Sequence, residues 1–279
     1  MRVRELSSVL ARSSSPFVVA LLAIAAAVAC SSSSSDGASP APSPEAGGGT
    51  DAQAEAAPHA PLSGPTQTGR IIDAVGKTGV AAAMVSIGGK TVTTGDDGTY
   101  AIGITKDTPT SMSVTAPDHF KLNEQEWIVK TDLFDRGDTS LLSTATAGLL
   151  ASFLPTRDPA KGLLAVRVYP LPPCVSEAGS TLSIRPAGTA EVTYWSSGLP
   201  SKTAKVVSKD ESFSGIFTNV DPGVPLEVVV NSPICEQVAF PVDYGGVTLT
   251  GVQKAEAGDV VSYIRVFLGP KKIEDAGSD

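Results

Sequence analysis

From Gly69 onward apolar and polar positions alternate in short runs parted by Gly, Asp and Pro, the pattern of strands that bury one face. It predicts strands at residues 70–73, 83–87, 91–94, 99–104, 111–116 and 126–131. Their inward sets would be Val85 with Ile87, Tyr100 with Ile102 and Ile104, Met112 with Val114, and Trp127 with Val129. Asp96-Asp97-Gly98 is a turn, because Gly98 takes positive φ at little cost. A second series falls at 163–168, 181–185, 191–195, 205–208, 215–219, 225–231, 238–242, 247–250 and 260–268. Between the two series, Leu142, Ala145, Leu149, Leu150 and Phe153 recur at helical spacing. They predict an amphipathic helix over 139–154, capped by Asp138 or Thr139, stopped by Pro155, and burying its apolar stripe in the chain's own core.

Upstream the texture differs. Arg2, Arg4 and Arg12 precede an unbroken apolar run, Phe17 to Ala29, too short to span a bilayer, which predicts a secretory signal peptide over 1–29. From Ser31 to about Thr66 the chain is Ser, Ala, Pro and Gly with almost no large apolar residue, and it cannot bury enough surface to offset its ordering entropy. Residues 30–66 are expected to be a disordered tether with a root-mean-square reach of roughly 30–35 Å.

The segment Ala27-Val28-Ala29-Cys30 resembles the lipobox of bacterial lipoproteins, which implies that Cys30 receives diacylglycerol and becomes the membrane anchor. Ala27 and Ala29 also suit an ordinary signal peptidase, and plain secretion is the other reading. Ser31 after Cys30, with no Asp there, fits outer-membrane sorting by the same resemblance. Once Cys30 is lipidated, the remaining cysteines, Cys174 and Cys235, form an even pair in an oxidising compartment. Joined, they would stabilise the fold by ~4 kcal/mol in the chain-entropy model. No C-x-x-C and no neighbouring His favours zinc or redox chemistry there.

Three stretches of the first series carry a family resemblance: Gly69-Arg70-Ile71-Ile72-Asp73, then Gly79 to Ile87, then Thr94 to Ile102. Together they resemble the carboxypeptidase regulatory-like domain, a small transthyretin-like β-sandwich, over about residues 68–132. Gly95 departs from that pattern, where the family usually has Asp, and Ala116-Pro117-Asp118-His119-Phe120 stands where it often has Gly and an aromatic. In the second series, Gly215-Ile216-Phe217-Thr218-Asn219-Val220-Asp221-Pro222-Gly223 resembles a turn of the same superfamily, with Asp221 in place of a Pro. The resemblance implies an all-β protein of two Greek-key transthyretin-like β-sandwich domains, at 67–135 and 161–270, joined by the linking helix and loop 136–160 and followed by a disordered tail, 271–279. It brings no catalytic residues, since in carboxypeptidases this module is an accessory. Some related surface domains form an internal Lys to Asn bond, but Arg70 and Arg167 stand where the Lys would be.

Candidate chemistry is sparse. The formal charge is −8, and loss of the leader removes three Arg and one Glu, so nucleic acid and anionic lipid surfaces would repel the body. Of two His, His59 is in the tether and His119 reads as a solvated loop residue. Gly-x-Ser-x-Gly and H-E-x-x-H motifs are absent from the sequence. Arg136-Gly137-Asp138 spells an integrin tripeptide, but Asp138 has the simpler role of helix cap. Asp132, Asp135 and Asp138 could gather around calcium, although the Gly and distal Glu of a calcium loop are missing, and a solvated acidic turn is expected. Tyr194 and Trp195 adjoin in a strand, so one faces the core and the other faces away, where it could stack on a ligand.

The expected protein is a non-enzymatic cell-envelope lipoprotein, needing no metal or other cofactor, that binds an envelope protein or polysaccharide or serves as structure. The alternative is an envelope enzyme that cleaves carbohydrate or peptide through carboxylates paired in space.

Overall fold

The structure, a computed structural model, describes residues 63–271. The expected signal peptide, Cys30, most of the tether and nearly all of the tail lie outside the described residues.

The first strand, Thr66–Asp73, pairs antiparallel with Thr99–Gly103 and parallel with Leu133–Leu141. Facing it is a sheet in which Met84–Ile87 lies between Lys90–Thr93 and Met112–Thr115, and Met112–Thr115 continues to Lys121–Glu124. The alternating residues meet between these sheets: Val85, Ile87, Tyr100, Ile102, Ile104, Met112, Val114, Trp127 and Val129 are all buried in one core. Gly98 has φ +82°, as the turn at Asp96 to Gly98 requires. Residues distant in sequence complete this core. The hairpin of Val242–Tyr244 and Val247–Leu249 pairs with Trp127–Val129, which also takes Pro109–Thr110, and it contributes Val242, Val247 and Leu249.

A second core forms around Gly162–Pro170, which pairs antiparallel with Gly215–Val220 and parallel with Val260–Pro270. Gly215–Val220 leads on to Glu191–Ser196 and its hairpin partner Leu199–Ser201, and the two-stranded sheet of Thr181–Arg185 and Glu227–Asn231 covers the other side.

Val260–Pro270 belongs to both halves. One edge bonds to Gly162–Pro170, and the other bonds first to Lys121–Glu124 and then to Cys235–Gln237, so a single sheet runs from Lys90–Thr93 to Leu199–Ser201. Its side chains alternate between cores, with Phe267 in the first and Ile264, Val266 and Leu268 in the second. A strand covered on both faces reads as a nearly continuous apolar run, and Val260-Val261-Ser262-Tyr263-Ile264-Arg265-Val266-Phe267-Leu268 fits that description.

Several sequence expectations need correction. The helix expected over 139–154 is a seven-residue turn of helix, Thr144–Leu150, with Ser143 as its N-cap and no buried residue. Its stripe is therefore not core, and Leu149 is 74% exposed. Thr139 and Leu141 instead end the strand Leu133–Leu141, since both are buried at alternate positions and pair with Ile71 and Asp73. The parallel register slips between Thr68 and Arg70, opposite Asp135 and Asp138, where Gly137 at φ +68° admits the extra residue. Asp138 is thus a strand residue and caps no helix. No strand forms at 205–208; Val207 is held there by backbone bonds to Ser180 and Gly179, and Leu199–Ser201 supplies the edge strand. Lys121–Glu124 carries a single large apolar residue, Leu122, and its pattern did not announce a strand.

Candidate functional site

Three chain turns meet beside the first core and enclose an open cleft of about 450 Å³. The first is the exit of Thr66–Asp73, where Asp73 Oδ1 accepts hydrogen bonds from the backbone N–H groups of Val75 (2.9 Å) and Gly76 (2.6 Å). A short carboxylate that bonds the backbone two and three residues on is what turns the chain here. The second is Pro117-Asp118-His119, with Asp118 at φ +56°. The third is the start of the short helix, where the N–H and hydroxyl of Thr144 donate to the Asp118 carbonyl and the hydroxyl of Ser143 accepts from the Thr146 N–H.

His119 lies in this cleft and is not the solvated loop residue expected: its side chain is 15% exposed. Nδ1 is 2.7 Å from the Pro117 carbonyl, and Nε2 is 3.6 Å from Asp73 Oδ2. Partial burial pulls the Asp73 carboxyl upward, but the Gly76 and Val75 N–H groups and the proximity of His119 outweigh it and hold it below the usual carboxylate value. Ser143 also lines the cleft, yet its hydroxyl is bonded to Thr146, and His119 has already given Nδ1 to Pro117 and turned Nε2 toward Asp73. Nε2 faces Asp73 and makes no hydrogen bond to Ser143, whose hydroxyl donates to Thr146 Oγ1, so the three residues do not make a nucleophilic triad.

The buried charge lies elsewhere, between the two sheets of the first half. Glu124, 4% exposed, takes a bidentate pair from Arg136 (2.5 and 3.1 Å) and a third contact from Arg265 (3.4 Å). Burial works against the Arg136 charge, but Glu124 more than offsets it and the guanidinium is held more firmly protonated than usual. Nearby, Gln67 Nε2 donates to the Tyr100 hydroxyl (3.0 Å), and burial pushes the Tyr100 pKa up to about 12. Burial likewise raises Tyr263 well above the ordinary tyrosine value. With Arg136 turned inward, the Arg136-Gly137-Asp138 tripeptide is not displayed as a unit.

Cys174 and Cys235 are joined, with an S–S distance of 1.96 Å, and tie the loop after Gly162–Pro170 to the first residue of the strand Cys235–Gln237. Tyr194 and Trp195 do face opposite ways, but neither is open to solvent. The Tyr194 hydroxyl accepts from the Leu182 N–H (2.9 Å) inside the second core. Trp195, 7% exposed, sits among Phe120, Leu163 and Ile216 with its ring 5.4 Å from that of Phe213. The outward aromatic surface expected of this pair is therefore covered. Asp132 pairs with Lys106 (2.8 Å), and Asp135 Oδ1 accepts from the Gly137 N–H (2.9 Å). Among the described residues no three His, Cys, Asp or Glu side chains gather as metal ligands. The pairing of Asp73 with His119 and the Glu124 cluster escaped sequence reasoning. Asp73-x-x-Gly76 was a usable turn signal, but nothing local tied it to His119.

Fold and cleft together define a disulfide-bonded, all-β protein. Among the described residues no helix is long and apolar enough to cross a membrane. No protein-family model and no curated protein matches the sequence. Similar solved structures include the TIE protein of Bacillus anthracis (TM-score 0.24, 11% identity, covering 74% of this chain and 34% of that one) and a streptococcal ancillary pilin (0.23, 9%, 75% and 63%). A minor pilin of Streptococcus agalactiae scores 0.20 at 10% identity, covering 77% of this chain and 100% of its own. The chain thus spans about a third of the first of these and under two thirds of the second. Similarity at this level goes no further than a shared β-rich character.

Proposed function

We propose that this chain is an exported β-sandwich protein, anchored by lipid on Cys30 and carried on the tether 30–66, that serves in the cell envelope as a non-enzymatic structural or binding module. The observation that carries this reading is that the interior uses its charge on itself. Glu124 is closed off by Arg136 and Arg265, and buried Glu177 accepts from the Asp210 N–H (2.9 Å). Asp73, the cleft carboxylate with a shifted pKa, moves downward, away from what a general acid near neutrality requires. The carboxypeptidase regulatory-like and transthyretin-like character of 67–135 and 161–270 belongs to the same proposal, as does outer-membrane placement from Ser31. The partner would be an envelope protein or polysaccharide, since an acidic body disfavours nucleic acid.

Detergent phase partitioning tests the anchor. The full chain should enter the detergent phase and Cys30→Ala the aqueous phase, because lipid chains contribute ~0.8 kcal/mol per buried methylene. Equal partitioning removes the lipoprotein reading. Hydrolysis of an envelope polysaccharide or peptide by the purified body, abolished by Asp73→Asn, would overturn the non-enzymatic assignment in favour of the enzyme.

A further inference from the structure

We draw no further inference here: the strongest candidate, the hydroxyl-lined cleft of about 390 Å³ between the Gly88-Gly89 turn and Glu126 beside the first core, carries nothing because Glu126, its one charged lining group, already accepts from the Thr250 hydroxyl (2.9 Å) and nothing in the structure shows what fills it.

Discussion

Phe267 and Leu268 are neighbours in the chain, both fully buried, and they lie in different cores. Strand geometry demands this once both faces are covered, since successive side chains point to opposite sides. Each core therefore depends on the same eleven-residue strand, Val260–Pro270.

Cooperativity follows from that arrangement. Trp127 lies in the first core and Trp195 in the cluster beside the second half, so Trp195→Phe and Trp127→Phe variants report on each half separately. Their denaturant curves should coincide. Phe267→Ala, at ~3–5 kcal/mol, and Leu268→Ala, at ~2–5 kcal/mol, should each move both curves together. Two separated midpoints would mean that the shared strand does not couple the halves.

The Glu124 cluster should be intolerant of losing one partner. Glu124→Gln leaves Arg136 charged and buried without its counter-ion, and should cost ~3–5 kcal/mol by chemical denaturation. Arg136→Lys should also destabilise, because a point charge cannot reproduce the bidentate contact. A change below about 0.5 kcal/mol in both would show the pair to be solvated in practice.

Tyr100 sets an alkaline limit. Its pKa is near 12 in the folded protein against 10.0 ordinarily, so between those values the folded state keeps a proton that the unfolded state has released. Its contribution to stability is complete below about pH 10 and is lost as pH rises toward 12, and Tyr263 acts in the same direction. Tyrosinate absorbance of these two residues should appear together with loss of near-ultraviolet circular dichroism. Tyr100→Phe should flatten the alkaline fall at a neutral-pH cost of ~1 kcal/mol for the hydrogen bond to Gln67. Smooth ionisation of every tyrosine while the fold persists would contradict this.

Tyr194 and Trp195 should behave alike. With both buried, Tyr194→Ala and Trp195→Ala are each expected to cost ~3 kcal/mol or more, read as a fall in melting temperature. Leu149→Ser, on the exposed helix, should stay within about 0.5 kcal/mol of wild type. A silent Trp195→Ala would restore that ring as an available surface.

Legibility followed the number of buried faces. Val85, Ile87, Tyr100, Ile102, Met112 and Val114 were readable because each strand buries one face and the period of two survives. The role of Val260–Pro270 was not, since cover on both faces erases the alternation and leaves only an apolar run. Its partner Lys121–Glu124 was missed for the opposite reason: Lys121 and Asn123 point to Glu256, and Glu124 enters a polar cluster. For Tyr194 and Trp195 the opposed directions were legible, but the residues that cover Trp195, Phe120 and Phe213, come from distant segments. Asp73 and His119 were each visible alone, and only the fold brings them together.

A ribosome delivers Val260–Pro270 after every other strand described here, although it lies in the middle of the sheet. Until it emerges, the first core lacks Phe267, the second lacks Ile264, Val266 and Leu268, and Lys121–Glu124 has no neighbour on one edge. Topology alone thus ties completion of both cores to the last of these strands to leave the ribosome.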